Sequence, residues 1–391
     1  MNYSRIMDGH MAGEVNSGFV AGNSALVIKD GKELYFNAFG YADAEKNIPM
    51  QRNTIIRLFS MTKPITAVAT MIAQERGLID LLDPISKYLP EYADMMVLQP
   101  DGGLKKANRP ITIMNLLTMT SGIPYGENWE GASECGIRMD KLFSPIVEGI
   151  RNGERLTTRE IVRKIAENPI AFEPGERWMY GFSADILGAI IEVATGKRFG
   201  EFLKQEIFDR LQMVDTGFYV PEEKMDRFAM SYEENQSGKL VSADESHLGE
   251  CYLEDVSYEA GGCGLVSTID DYANFAKMLI NKGTFNGQRI ISPSSVKFLT
   301  SNHLNSSQLG AMDWDSTLGY GYGCLMRVLV NQTKAGSQAS IGEFGWDGWT
   351  GNYVSMDPEK NLIILYFIQK RGAGTTPVVR KLRAATYGYI D

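Results

Sequence analysis

The chain has 391 residues, 44% hydrophobic and 22% charged, and 39 basic against 48 acidic side chains leave it at −9. That is the profile of a globular protein long enough to bury its own core without disulfide or metal staples. No run of Lys or Arg concentrates positive potential, which argues against nucleic acid and anionic membrane as partners.

The four cysteines, Cys135, Cys251, Cys263 and Cys324, are widely spaced and form no CxxC pair. They are expected to be reduced packing residues, with no zinc site among them. The N-terminal "MNYSRIMDGHMAGEVNSG" lacks the apolar core of a signal peptide, and no segment stays apolar over the length of a bilayer. A cytoplasmic protein with no membrane partner is the expectation, and the oligomeric state is left open.

In chain order, "NSALVIKDGKELYFNAFGYAD" (23–43) gives two β-rich runs broken at Asp30-Gly31, a hairpin turn signal. "IIRLFSMTKPITAVATMIAQERG" follows as a helix ending near Gly77. "LLDPISKYLPEY" is a proline-punctuated turn segment. "ITIMNLLTMTSGIPYG" (111–126) predicts a helix closed by Ser121-Gly122. The next stretch is polar and irregular, becoming helical from about Thr158. "ADILGAIIEVATG" (184–196) and "STIDDYANFAKMLINKG" (267–283) are helices with glycine stops, the second capped by Ser267 or Thr268. "GNYVSMDPEKNLIILYFIQ" (351–369) is two strands, and a final helix runs over about 376–387 with Pro377 in its first turn.

Hairpins near both ends with a helical middle predict a mixed α/β fold: one antiparallel sheet built from both chain termini, flanked by helices, with a mostly helical second lobe. The expected organisation is a single domain, with a sheet lobe of about 1–80 and 255–391 and a helical lobe of about 81–254. A cleft between the lobes is the natural place for a site.

Ser60 and Lys63 stand three apart at the start of an apolar helix, so they share one face. Two readings compete. Ser60 is a helix-terminal residue with a solvated lysine beside it, or it is a nucleophile with its base. A serine hydroxyl needs a base, and a lysine serves only where burial or neighbouring charge leaves its amine neutral. The flank "ITAVATMIA" is apolar enough to bury it. A second SxxK, Ser294 to Lys297, opens "SPSSVKFLT", an ordinary capped surface helix, and shows what a chance match looks like. Two further elements keep the first pair company. Tyr180 stands just before a helix, on a loop introduced by Pro174-Gly175, and Trp346-Asp347-Gly348 lies on a strand whose glycine permits close approach to the backbone.

Together with "GLIDLLDPISKYLPEY", "ITIMNLLTMTSG", "FEPGERWMY", "GGCGLVSTIDDYANFAKMLINKG" and "GWDGWTGNYVSMDP", these residues give the chain a resemblance to the class C β-lactamase-like serine hydrolases. That group includes penicillin-binding proteins, D-aminopeptidases and family VIII carboxylesterases. The resemblance implies the β-lactamase/transpeptidase-like fold and acylation of Ser60. It implies base work shared by Lys63 and Tyr180, and an oxyanion hole from the backbone N–H groups of Ser60 and Trp349.

Two departures narrow the substrate. The Tyr-x-Asn position reads Tyr180-Gly181-Phe182, so the amide is missing, and Ser183 and Asp185 are the nearby polar groups. The Lys-Thr-Gly position reads Trp346-Asp347-Gly348, which removes a cation. Strand alternation puts Trp346 and Gly348 on the cleft face and Asp347 on the other, in a structural role. With Phe182, Trp129 and Tyr125 as further pocket candidates, the site is expected to take a small-molecule ester, or a lactam weakly. Phe143 is expected to pack the long 126–168 connection onto the helical lobe. No cofactor or metal is expected. Histidine chemistry is disfavoured, since His10, His247 and His303 lie outside any recognisable nucleophile motif.

Overall fold

A computed structural model describes residues 2–243 and 256–390; His247, Cys251 and the 254/255 lobe boundary lie outside them. The main sheet has eight strands. In chain order they are β1 Gly22–Lys29, β2 Lys32–Asp43, β3 Ile48–Pro49, β4 Tyr320–Tyr322, β5 Arg327–Leu329, β6 Phe344–Asp347, β7 Tyr353–Asp357 and β8 Leu362–Ile368. Their spatial order is β4-β5-β6-β7-β8-β1-β2-β3, and neighbouring strands run antiparallel throughout. The two chain ends therefore meet where β1 pairs with β8, Asn23 against Ile368 and Lys29 against Leu362. The first hairpin turns at Asp30 and Gly31 with φ of 53° and 74°, the left-handed pair that a two-residue turn requires.

Side chains alternate across this sheet, and the two faces bury into different cores. Leu26, Ile28, Ile363, Leu365 and Phe367 join the large core that continues into the helical part of the chain. Ala25, Val27, Ile364, Tyr366 and Ile368 face the other way, onto the terminal helices Tyr3–Asn16 and Pro377–Ile390. The helix Ile269–Ile280 covers the first face, capped by Thr268. This is a mixed α/β architecture, one antiparallel sheet built from both chain ends with helices on both faces.

Three elements differ from the sequence reading. The N-terminal helix was not anticipated, although Tyr3, Met7 and Met11 form its buried stripe. The helix expected over 111–126 is five residues long, Ile113–Leu117; Met119 then takes a left-handed φ of 54° and the chain continues without regular structure. The stretch expected to be irregular holds an 18-residue helix, Glu134–Arg151, capped by Ser133. Its Pro145 and two glycines hide the stripe of Cys135, Met139, Ile146 and Ile150 that it buries.

Candidate functional site

Ser60 sits in a single 3₁₀ turn, Phe59–Met61, that leads into the helix Thr62–Glu75. Phe59 has a φ of 46°, a costly conformation for a bulky residue that persists only where its surroundings over-determine it. Here they do. Leu58 N–H donates to Leu265 O at 2.9 Å, and the Tyr272 hydroxyl donates to Met61 O at 2.9 Å. Leu265 N–H bonds Thr62 Oγ1 at 3.2 Å, and Thr66 Oγ1 bonds Gly261 O at 2.6 Å. The start of the helix is laced to the 261–265 segment on both sides of Lys63.

Lys63 is fully buried, 0% exposed. Its amine contacts Ser60 Oγ at 3.2 Å, Tyr125 Oη at 3.0 Å and Gly262 O at 2.8 Å. The three partners match both protonation states. An ammonium can donate to all three. A neutral amine can donate to Gly262 O, which only accepts, and to Tyr125, leaving its lone pair for the Ser60 hydroxyl proton. The Lys63 amine is thus within hydrogen-bond reach of the Ser60 hydroxyl proton.

Two phenols converge on this amine. The Tyr180 ring lies under it, with Nζ 4.5 Å from the ring centroid, while the Tyr180 hydroxyl accepts from Trp346 Nε1 at 3.1 Å. With that lone pair engaged, the Tyr180 O–H remains directed by its own torsion and can donate. Tyr125, expected from the sequence on the pocket wall, has its hydroxyl on the amine. Burial first, and the neighbouring Asp185 charge next, push the Tyr125 phenol well above its usual range, so it keeps its proton.

The third block reaches the site through its glycine. A Cβ on Gly348 would lie 2.6 Å from Leu58 O, so only glycine lets this turn close against the residues before Ser60. Asn352 Nδ2 bonds Arg57 O at 2.7 Å, tying the turn to the same segment. The Trp349 ring then meets Phe59 edge-on at 5.4 Å, which sets residue 349 beside the Ser60 turn. Trp346 is buried against Tyr180 and Tyr322. Asp347 is taken up by the Thr375 hydroxyl.

The Tyr-x-Asn slot behaves differently from a polar one. Phe182 is buried between Tyr125 and Phe143, at 4.6 Å from each ring. Ser183 Oγ pairs with Ser121 Oγ at 3.0 Å, and Asp185 is 0% exposed, bonded to Tyr258. Neither nearby polar group is open to a substrate. Trp129 stays 62% exposed, with most of its surface in solvent. Trp314 was missed: it stands edge-on to Tyr180 at 5.1 Å and to Trp178 at 5.3 Å, 41% exposed, on the rim of the aromatic wall. It lies in a loop with no periodicity, so nothing in the sequence pointed to it.

Elsewhere the second SxxK is surface structure. Ser292 caps the helix Pro293–Leu299, Lys297 is exposed, and Ser295 bonds Glu75. Cys135, Cys263 and Cys324 are free thiols. His303 Nε2 bonds the Phe298 carbonyl at 2.8 Å. No helix among the described residues is long and apolar enough to cross a membrane.

Comparison with known proteins covers nearly the whole chain. Residues 5–387 match the family described as Beta-lactamase. Protein Rv1367c of Mycobacterium tuberculosis is 32% identical over 378 residues, covering 93% of this chain and 90% of that protein. Esterase EstB of Burkholderia gladioli is 30% identical over 387 residues, covering 94% and 91%. The solved structure of EstCE1, a hydrolase with promiscuous acyltransferase activity, superposes with a TM-score of 0.81 at 25% identity, covering 99% of this chain and 98% of that one. With the fold, the ordered sequence blocks and a match spanning nearly every residue in agreement, the chain belongs to the beta-lactamase family.

Proposed function

We propose that this protein is a serine hydrolase working through an acyl-enzyme at Ser60, and that its preferred substrates are esters with short neutral acyl groups. The observation that carries the reading is the buried Lys63 amine, held 3.2 Å from Ser60 Oγ by two other fixed partners. In acylation the Ser60 proton passes to Lys63 as Oγ bonds the ester carbonyl carbon. The C–O bond to the alcohol then breaks, and Lys63 with Tyr180 hands one proton to the departing oxygen. In deacylation water loses a proton to the same pair, bonds the acyl carbon, and the carboxylic acid leaves with Ser60 O–H restored. The backbone N–H groups of Ser60 and Trp349 are the proposed oxyanion donors.

The ester preference rests on what replaces the cation of the third block. Trp346 is fully buried and spends its N–H on Tyr180. Arg371 stands over the Trp349 ring, and its charge is paired with Glu233. An anionic β-lactam or peptide carboxylate therefore finds no cation on Trp346 and a paired one at Arg371, whereas a neutral acyl group meets the partly exposed rings of Tyr125, Tyr180 and Trp314. Measured on one preparation, kcat/KM for p-nitrophenyl butyrate should exceed that for nitrocefin by about 10²-fold or more. Comparable values would overturn the preference. EstB is named an esterase and EstCE1 a hydrolase with acyltransferase activity; a transester product formed when a second alcohol is supplied would favour transfer over hydrolysis.

Tyr180→Phe should lower kcat by about 10²- to 10³-fold with KM nearly unchanged. The ring under Lys63 survives that substitution and only the hydroxyl is lost. An unaltered kcat would move the proton-transfer role to Tyr125.

A further inference from the structure

We propose that Asp185 is a positioning residue for Lys63: a buried carboxylate that fixes the Gly262 segment against the amine and supports the charge Lys63 gains when Ser60 gives up its proton. This rests on the reading of Ser60 and Lys63 as nucleophile and base.

Asp185 lies in the first turn of the helix Ser183–Thr195, where the positive end of the helix dipole favours an anion. Its Oδ1 accepts from the Tyr258 hydroxyl at 2.7 Å and from Gly262 N–H at 3.3 Å. Its Oδ2 is buried and has no hydrogen-bond partner among the described residues. A Cβ on Gly262 would fall 2.5 Å from that free oxygen and 2.8 Å from Tyr125 Oη. The unpaired carboxylate oxygen, the phenol on Lys63 and the residue whose carbonyl Lys63 donates to thus meet at one point.

The ionisable groups around Asp185 come from every element packed on it. Lys63 projects from the helix Thr62–Glu75, Tyr125 from the loop after Met119, Tyr258 and Cys263 from the segment beside Gly262, and Tyr92 from the turn Pro90–Tyr92. Lys63 is the cation of this set. Burial pushes the Cys263 thiol up to about 12 and the Tyr92 and Tyr125 phenols well above their usual range, so these remain neutral. Burial raises the Asp185 carboxyl above its usual range, and the Lys63 charge, then the Tyr258 hydroxyl, offset part of that rise. A buried carboxylate oxygen left without a hydrogen bond is costly unless a charge compensates it. Lys63 supplies that charge when it takes the Ser60 proton, and the carboxylate supports it in that state.

A purely structural Asp185 would only tie Tyr258 and Gly262 to the helix. Asp185→Asn separates the two roles, because an amide oxygen can accept both of those hydrogen bonds and the negative charge is gone. Without the carboxylate the protonated form of the amine has no counter-charge beside it and is disfavoured relative to the wild-type protein. The acid limb of the kcat/KM profile on p-nitrophenyl butyrate should move down by about one pH unit, and the plateau should fall about tenfold. A folded variant whose limb stays in place, or moves up, overturns the proposal. If Asp185→Asn does not fold, Asp185→Ser keeps a hydroxyl that can accept a hydrogen bond, removes the charge and should displace the limb in the same direction; no displacement there overturns it equally. Intact mass after fluorophosphonate treatment keeps the failures apart. No adduct on the wild-type protein overturns the nucleophile reading and this inference together, whereas a Ser60 adduct with an unmoved limb overturns the role of Asp185 alone.

Discussion

Ser60→Ala should abolish turnover of every ester in the panel, with kcat down by about 10⁴-fold or more. The reasoning is chemical rather than steric. Ser60 lies in a strained turn held by backbone bonds to Leu265 and by the Tyr272 hydroxyl, and none of these uses the Ser60 side chain. Alanine therefore leaves the turn, the aromatic wall and the proposed oxyanion donors in place while deleting the atom that bonds the acyl carbon. The loss should appear in kcat, with substrate binding largely kept. Intact-mass analysis checks the same point directly: the wild-type protein should take up one fluorophosphonate equivalent, and Ser60→Ala none. An adduct that survives the substitution would place the nucleophile elsewhere and remove the basis of the acyl-enzyme scheme.

Lys63→Met should cost about 10³- to 10⁴-fold in kcat/KM while leaving the protein as stable as before, or more so. Methionine nearly conserves volume and removes a fully buried amine, the kind of group whose burial opposes folding. Against this stands the loss of one donor to Gly262 O and one contact to Tyr125. The bond to Gly262 O is buried, so its loss offsets the gain from removing the amine, and the melting temperature should change by no more than a few degrees. The pH profile is the sharper readout. If Lys63 is the base, the variant's residual activity should lose the acid limb of the parent profile. A limb that persists unchanged would assign it to another group, and a loss of folding would show that Lys63 is structural.

The sequence determined much of this protein by itself. The Asp30-Gly31 hairpin, the closing strands β7 and β8 and the helices after Phe182 and Thr268 follow local rules of turn chemistry, alternation and capping. Local rules also set Ser60 and Lys63 one turn apart, because i,i+3 spacing on a helix is a short-range geometry. They failed where local signals conflict, as in Glu134–Arg151, whose Pro145 masked an apolar stripe that tertiary packing nevertheless buries. Tertiary structure alone decided which distant groups meet the amine. Tyr125 lies 62 positions from Lys63 and Gly262 lies 199, and no period in the sequence links such residues. It likewise turned the Tyr180 hydroxyl toward Trp346, put Asp185 behind Gly262 and set Trp314 on the rim. The physical reason is range: backbone propensity acts over a few residues, whereas the charge state of a buried amine depends on whatever the whole fold packs around it.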